Sequence, residues 1–396
     1  MQVNHLPDAW QKRWQQQQFS QPTKIQEEAF NRIIQGESFV GVSPTGSGKT
    51  LAYLLPTLLQ VKEKQLTQVL ILTATQELAM QVTEVARAWA NDLDLKVQPL
   101  IGGANIKRQI EKLKEKPEVI IGTVGRVVEL VQQRKLKLHL IKTLILDEAD
   151  QLLANKEASL LAHVMKAVDK NVQLTAFSAS GQNLPALFAK YYQKVLPLVD
   201  VTNQDDSQGR IFHGYIIWPK RQSVDALRRF AHVPTMQALV FFNQLSDLGA
   251  AEDKLLYHQL AVSSLASDQN KLMRKLALAA FKEGKSTLLL TTDIAARGLD
   301  IVELPYVINV DIPQDKASYL HRAGRVGRMG HDGMVLTLLE AHQVREYKKL
   351  LQDLDLTAEE YYLYAGQVTK EKPQKESSAK TPKIKKKDKN KKIRKK

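Results

Sequence analysis

The chain has 396 residues, no cysteine and a net charge of +15. Its length suits two domains with two apolar cores, and the missing thiols exclude disulfides, thiolate metal sites and cysteine nucleophiles. No run reaches the roughly 18 apolar residues of a membrane span, and the polar stretch 15–18 is unlike a signal peptide, so a cytoplasmic protein is expected.

The first strand signal, 38–42, leads into Ser43-Pro44-Thr45-Gly46-Ser47-Gly48-Lys49-Thr50 and then a helical pattern. Glycines between a strand and a helix let backbone N–H groups approach phosphate oxygens at a helix N-terminus. Lys49 supplies a point charge for the β- and γ-phosphates, and the Thr50 hydroxyl can reach Mg²⁺. The strict phosphate-loop pattern places glycine six residues before the lysine, where this chain has Ser43. The strand–loop–helix context supplies what that departure removes. Further strand signals at 69–72, 96–100, 119–121, 143–146 and 172–177 alternate with helical patterns such as 76–90. The run at 143–146 ends in Asp147-Glu148-Ala149-Asp150. Asp147 can hold the metal's other side, and Glu148 sits where a general base for water could act. Together the two motifs describe ATP binding and hydrolysis.

A polar stretch at 202–210 separates a second set of strands at 211–217, 239–242, 287–291, 306–310 and 334–338, with a helix at 270–282. The alternation predicts an α/β protein of two tandem doubly wound parallel-sheet domains. We place the first domain at 1–201, a linker at 202–210, the second domain at 211–360 and a disordered lysine-rich tail at 366–396. The second half lacks a phosphate loop but carries His321-Arg322-Ala323-Gly324-Arg325-Val326-Gly327-Arg328. Arginines so spaced serve either as fingers to ATP held by the other domain or as contacts to surface phosphate or RNA. Between Lys370 and Lys396 there are 14 Lys or Arg against 3 acids, a net +11 that leaves +4 for everything before. Such a segment cannot bury enough apolar surface to fold, and its charge suits nucleic-acid phosphates; a solubilising tail is the alternative.

From residue 19 to about 350 the motif order resembles that of the DEAD-box ATP-dependent RNA helicases, which implies two RecA-like domains and the cofactors ATP and Mg²⁺. The resemblance implies that Phe19 stacks on adenine and Gln26 hydrogen-bonds its edge. It further implies that Ser43 to Thr50 hold the triphosphate, that Thr50 and Asp147 hold the metal, and that Glu148 activates water. Asp150 would link the site to His321. Ser178 and Ser180, in Ser178-Ala179-Ser180, match the motif that couples hydrolysis to strand separation. Arg325 and Arg328 would be the fingers, and Asp300 would contact ribose. RNA would lie across both domains on Gly102, Gly103, Thr123, Gly125 and Arg126, with Arg274, Thr292 and Arg297 opposite. Backbone contacts of this kind carry little sequence preference.

Departures fall in the RNA-facing motifs. Thr75-Gln76-Glu77-Leu78-Ala79 has Gln76 where arginine is usual, Val124 replaces proline, Ser267-Asp268 replaces His-Gly, and Lys271 stands for glutamine. A differently balanced RNA grip, with the tail compensating electrostatically, is expected. ATP and single-stranded RNA would each bridge the domains, with closure bending one strand out of duplex geometry. Two other readings remain: a non-unwinding RNA clamp or chaperone, and a DNA-directed helicase on the same core. Ribosome assembly, cold adaptation and messenger turnover, with ribosomal or degradation complexes as partners, are what the resemblance offers; a monomer is the default.

Overall fold

The computed structural model describes residues 1–19, 21–204, 209–266, 268–296, 304–327 and 331–372. Two seven-stranded sheets follow one another along the chain. The first comprises β1 (Phe39–Val42), β2 (Val69–Thr73), β3 (Val97–Leu100), β4 (Val119–Thr123), β5 (Thr143–Asp147), β6 (Gln173–Ser178) and β7 (Leu198–Asp200), in the order β3-β4-β2-β5-β6-β1-β7. The second comprises β8 (Ile211–Ile217), β9 (Ala238–Phe242), β10 (Val262–Leu265), β11 (Leu288–Thr292), β12 (Tyr306–Asn309), β13 (Gly333–Leu339) and β14 (Glu359–Glu360), in the order β10-β11-β9-β12-β13-β8-β14. Shifting every label by seven converts one order into the other, so a single topology is used twice. All the pairings within these two sheets are parallel.

Parallel sheets covered by helices on both faces need strands that are apolar on both sides. Every residue of β2, β5, β9 and β11 is buried. Successive side chains point to opposite faces, so Ile71 and Ile145 join one core with Leu54 and Trp89, while Leu70, Leu72, Leu144 and Leu146 join the other with Val128 and Leu161. The N-terminal helix Asp8–Gln16 adds Trp10 to the first of these cores. Its indole N–H donates to the Trp89 carbonyl at 2.9 Å, and the two rings meet edge to face at 5.5 Å.

Three sheet strands escape the sequence pattern. β7 and β14 are only two or three residues long and lie at sheet edges, and β10 is Val-Ser-Ser-Leu, half polar and without apolar alternation. The fold also runs past the boundary expected at 360 and the tail expected from 366. Tyr361 and Leu363 are buried in the second domain's core, and Tyr362–Tyr364 pairs antiparallel with Gln367–Thr369. Arg297, Asp300, Arg328 and the tail beyond 372 lie outside the described residues.

Candidate active site

β1 turns through residues 43–48 into the helix Lys49–Gln60. Gly48 caps that helix at φ 86°, and a Cβ there would stand 2.4 Å from Gln26 Nε2, so only glycine fits. Gln26 in turn holds the loop. Its Nε2 donates to the Gly48 carbonyl at 3.3 Å and its Oε1 accepts from Thr23 N–H at 3.1 Å, while the Thr23 hydroxyl donates to the Ser47 carbonyl at 2.7 Å. One N–H and one lone pair of the Gln26 amide stay available for a base edge. Phe19 lies half-buried, edge-on to Trp14 at 5.0 Å. The buried Ser43 and Ser47 hydroxyls share a hydrogen bond of 2.7 Å. Thr45 and Gly46 form the turn, and below it the Lys49 ammonium donates to the carbonyls of Ser43 (2.8 Å) and Pro44 (2.7 Å). A lysine so placed inside a glycine turn fits a triphosphate.

β6 pairs with both β1 and β5, which brings Asp147 and Ser178 to the same carboxyl edge as the loop. Burial, and then the neighbouring Glu148 charge, push the Asp147 carboxyl up to about 6. The Tyr53 hydroxyl donates to Asp147 Oδ2 at 2.8 Å and also lies within hydrogen-bonding reach of Thr50. Thr50 and Asp147 therefore converge on one phenol oxygen, an arrangement of hard oxygen donors that fits Mg²⁺ retaining its waters and phosphate ligands. Glu148 occupies the left-handed region at φ 51°, a strained conformation for this residue, and among the described residues its buried Oε2 has no hydrogen-bond partner. Burial alone would raise the Asp150 carboxyl, but hydrogen bonds from His321, Ser178 and Ser180 hold it below the usual range. Ser180 Oγ donates to Asp150 Oδ2 at 3.1 Å, and Ser178 Oγ donates to the Ser180 carbonyl at 2.8 Å.

The second half reaches this edge with the helix Lys316–Ala323. His321 Nε2 lies 3.4 Å from Asp150 Oδ2, and its Nδ1 lies 3.2 Å from Gln151 Nε2. A Cβ on Gly324 would meet Thr45 Cβ at 2.5 Å, so a side chain there would wedge the halves apart. Arg325 is buried; burial lowers its guanidinium pKa, and the Glu148 carboxylate opposes that shift. Arg322 requires a correction to the picture of three arginines facing an external anion. It is fully buried and holds Asp293 at 2.7 and 2.6 Å, Asn243 at 2.7 Å and Asn309 at 3.1 Å.

The remaining candidates collect at the β3, β4 and β2 end of the first sheet and at β11 of the second. Gly102 and Gly103 follow β3, with the Gln76 amide lying against them. Thr123 ends β4, and Gly125 and Arg126 begin the next helix, where Arg126 donates to the Ala104 carbonyl at 3.2 Å and to Glu129 at 2.9 Å. Thr292 ends β11, and its hydroxyl oxygen accepts from Ala295 N–H at 3.4 Å. Arg274 donates to the carbonyls of Ala266 and Ala295 and lies 3.6 Å from Glu77 of the first half. Sequence alone assigned no role to Thr23, Glu77 or Asp293 within their motifs and did not single out Tyr53 or Gln151. Tyr53 stands one helical turn beyond Lys49 and was within reach of a spacing argument. Glu77 and Asp293 contact residues far off in sequence and carry no local signal.

The DEAD/DEAH box helicase family model matches residues 23–185, and the helicase conserved C-terminal domain model matches residues 222–330. YfmL of Bacillus subtilis, described as a probable ATP-dependent RNA helicase, is 40% identical over 357 residues, covering 90% of this chain and 94% of the relative. The chain belongs to the DEAD-box helicase family. It is an ATP-dependent RNA helicase of that type. Among solved structures, Saccharomyces cerevisiae Dbp5 bound to RNA and ADP BeF3 superposes with a TM-score of 0.77 at 25% identity, covering 90% of this DEAD-box chain and 94% of that one. A Dbp5 variant bound to Nup159, Gle1, IP6 and ADP gives 0.61 at the same identity, over 90% and 95%.

Proposed function

We propose that the cleft hydrolyses ATP when single-stranded RNA lies across the carboxyl ends of β3, β4 and β11, beside the ATP site, and that closing the cleft bends one strand out of duplex geometry. The observation that carries this reading is that His321 and Arg325 of the second half reach Asp150 and Glu148, on the strand end of the first half that also carries Asp147. The closer likeness to Dbp5 with RNA and ADP BeF3 than to its variant with Nup159, Gle1, IP6 and ADP supports the same disposition of the halves.

Phe19 and Gln26 receive adenine, and the loop from Ser43 to Thr50 receives the phosphates. Thr50 and Asp147 would hold Mg²⁺, which when bound would neutralise phosphate charge. Glu148 takes the proton of the attacking water, and Arg325 stabilises charge developing on the γ-phosphate. Asp150, Ser178, Ser180 and His321 form the polar bridge that reports closure. Gly102, Gly103, Thr123, Gly125, Arg126, Arg274 and Thr292 contact the RNA backbone, and the basic tail adds phosphate attraction without sequence preference. We place this activity in the cytoplasm, where both ATP and RNA are at hand, and take the protein to act as a monomer.

Glu148→Gln tests the assignment of the base. It should retain ATP and RNA binding and lose at least about 100-fold in turnover. Sustained multiple-turnover hydrolysis in that variant would remove Glu148 from the role.

A further inference from the structure

We infer that His213 is a positioning residue for the arginine segment, acting through Tyr319; the inference rests on the role proposed for Arg325. The helix Lys316–Ala323 has two working sides. His321 faces Asp150 and Gln151 and leads on to Arg325, whereas Tyr319 and Arg322, three residues apart on one face, turn inward.

The inward pair is joined into a loop of hydrogen bonds. Arg322 donates to Asn309 Oδ1 at 3.1 Å, Asn309 Nδ2 donates to Thr337 Oγ1 at 3.1 Å, and Thr337 Oγ1 donates to the Tyr347 hydroxyl at 3.1 Å. The Tyr347 hydroxyl lies 3.4 Å from that of Tyr319, which shares a 2.7 Å hydrogen bond with His213 Nδ1. Both tyrosines are fully buried. A hydroxyl left unmade there costs about 1–3 kcal/mol, so the network favours one placement of the helix.

His213 lies on β8, two residues beyond its start and just after the segment that joins the halves. That segment braces the arginine stretch at a second point, where Gly209 N–H donates to the Gly327 carbonyl at 3.2 Å. Gly209 and the strand that follows it thus touch both sides of Arg325: His213 through Tyr319 before it, and Gly209 through Gly327 after it.

The test measures RNA-stimulated ATP hydrolysis by the full chain. Tyr319→Phe removes the hydroxyl and keeps the ring, His213→Phe removes the ring nitrogen, and His213→Gln keeps a polar group able to reach the same oxygen. Tyr319→Phe and His213→Phe should each lose about tenfold in kcat, while KM for ATP stays within about twofold because the Lys49 loop is untouched. The double variant should be no worse than either single one, and His213→Gln should return to within about threefold of wild type. Wild-type kcat in His213→Phe, a parallel rise in KM, multiplicative losses or failure of the glutamine rescue would each overturn the inference. If Tyr319→Phe does not fold, the two His213 variants decide alone. Arg325→Ala run alongside separates the layers. Wild-type turnover there removes the role of Arg325 and this inference with it, whereas loss in Arg325→Ala with none in His213→Phe overturns this inference only.

Discussion

Arg322 and Arg325 stand three residues apart, and their surroundings give them different tasks. Arg322 neutralises Asp293 inside the second domain; Arg325 faces Glu148 across the cleft. Arg322→Ala should therefore cost about 3 kcal/mol of stability, because it leaves a partly buried carboxylate without its cation. Arg325→Ala should lower RNA-stimulated kcat by about 1000-fold and leave the urea midpoint nearly unchanged. Equal urea midpoints for wild type and Arg322→Ala would contradict the internal pairing. His213 gives a pH signature. Burial pushes its pKa down to about 4 from 6.5. The unfolded chain then takes up a proton near pH 6.5 that the folded chain refuses until about pH 4, so stability is full above 6.5 and is lost as pH falls toward 4. The loss reaches about 2 kcal/mol at pH 5. Unfolding free energies of wild type and His213→Gln from urea titrations at pH 7 and pH 5 should diverge by that amount, with the variant the less acid-sensitive; parallel behaviour would remove His213 as the source.

At the scale of elements, the tie between the helix Lys24–Ile34 and the phosphate loop is the contact with most functional consequence. Thr23 both caps the helix in a capping box and donates to the Ser47 carbonyl. Thr23→Ala should cost about 1 kcal/mol through the lost cap and raise KM for ATP more than it lowers kcat. A fall in kcat with KM unchanged would place Thr23 in the chemistry rather than in the loop's support. What the sequence revealed follows from the same physics. Strands buried on both faces, such as β2 and β5, are written as apolar runs, and the turn into Lys49–Gln60 is written in glycines. Short edge strands take their stability from a neighbour: Glu359–Glu360 pairs with Gly214 and Tyr215, and nothing in two glutamates announces it. The phosphate loop, the acidic strand end and the arginine spacing were legible because each is local. Tyr53 on Asp147, Glu77 beside Arg274 and Asp293 under Arg322 depend on the folded chain bringing distant residues together.

For the whole molecule, one topology used twice places two carboxyl edges against each other, with a phosphate loop on one and an arginine segment on the other. The cleft is complete only when both halves contribute, which makes hydrolysis sensitive to anything that draws them together. On the proposed reading RNA lies across both halves and is such a ligand, and linkage then requires that ATP strengthen RNA binding by the factor by which RNA strengthens ATP binding. The most direct measurement is steady-state ATP hydrolysis with and without single-stranded RNA, with matched DNA as the control and the Lys49→Ala protein as the blank. Stimulation by RNA and not by DNA, absent in Lys49→Ala, is the predicted result. Hydrolysis indifferent to RNA, or no faster than the blank, would contradict a cleft that RNA closes.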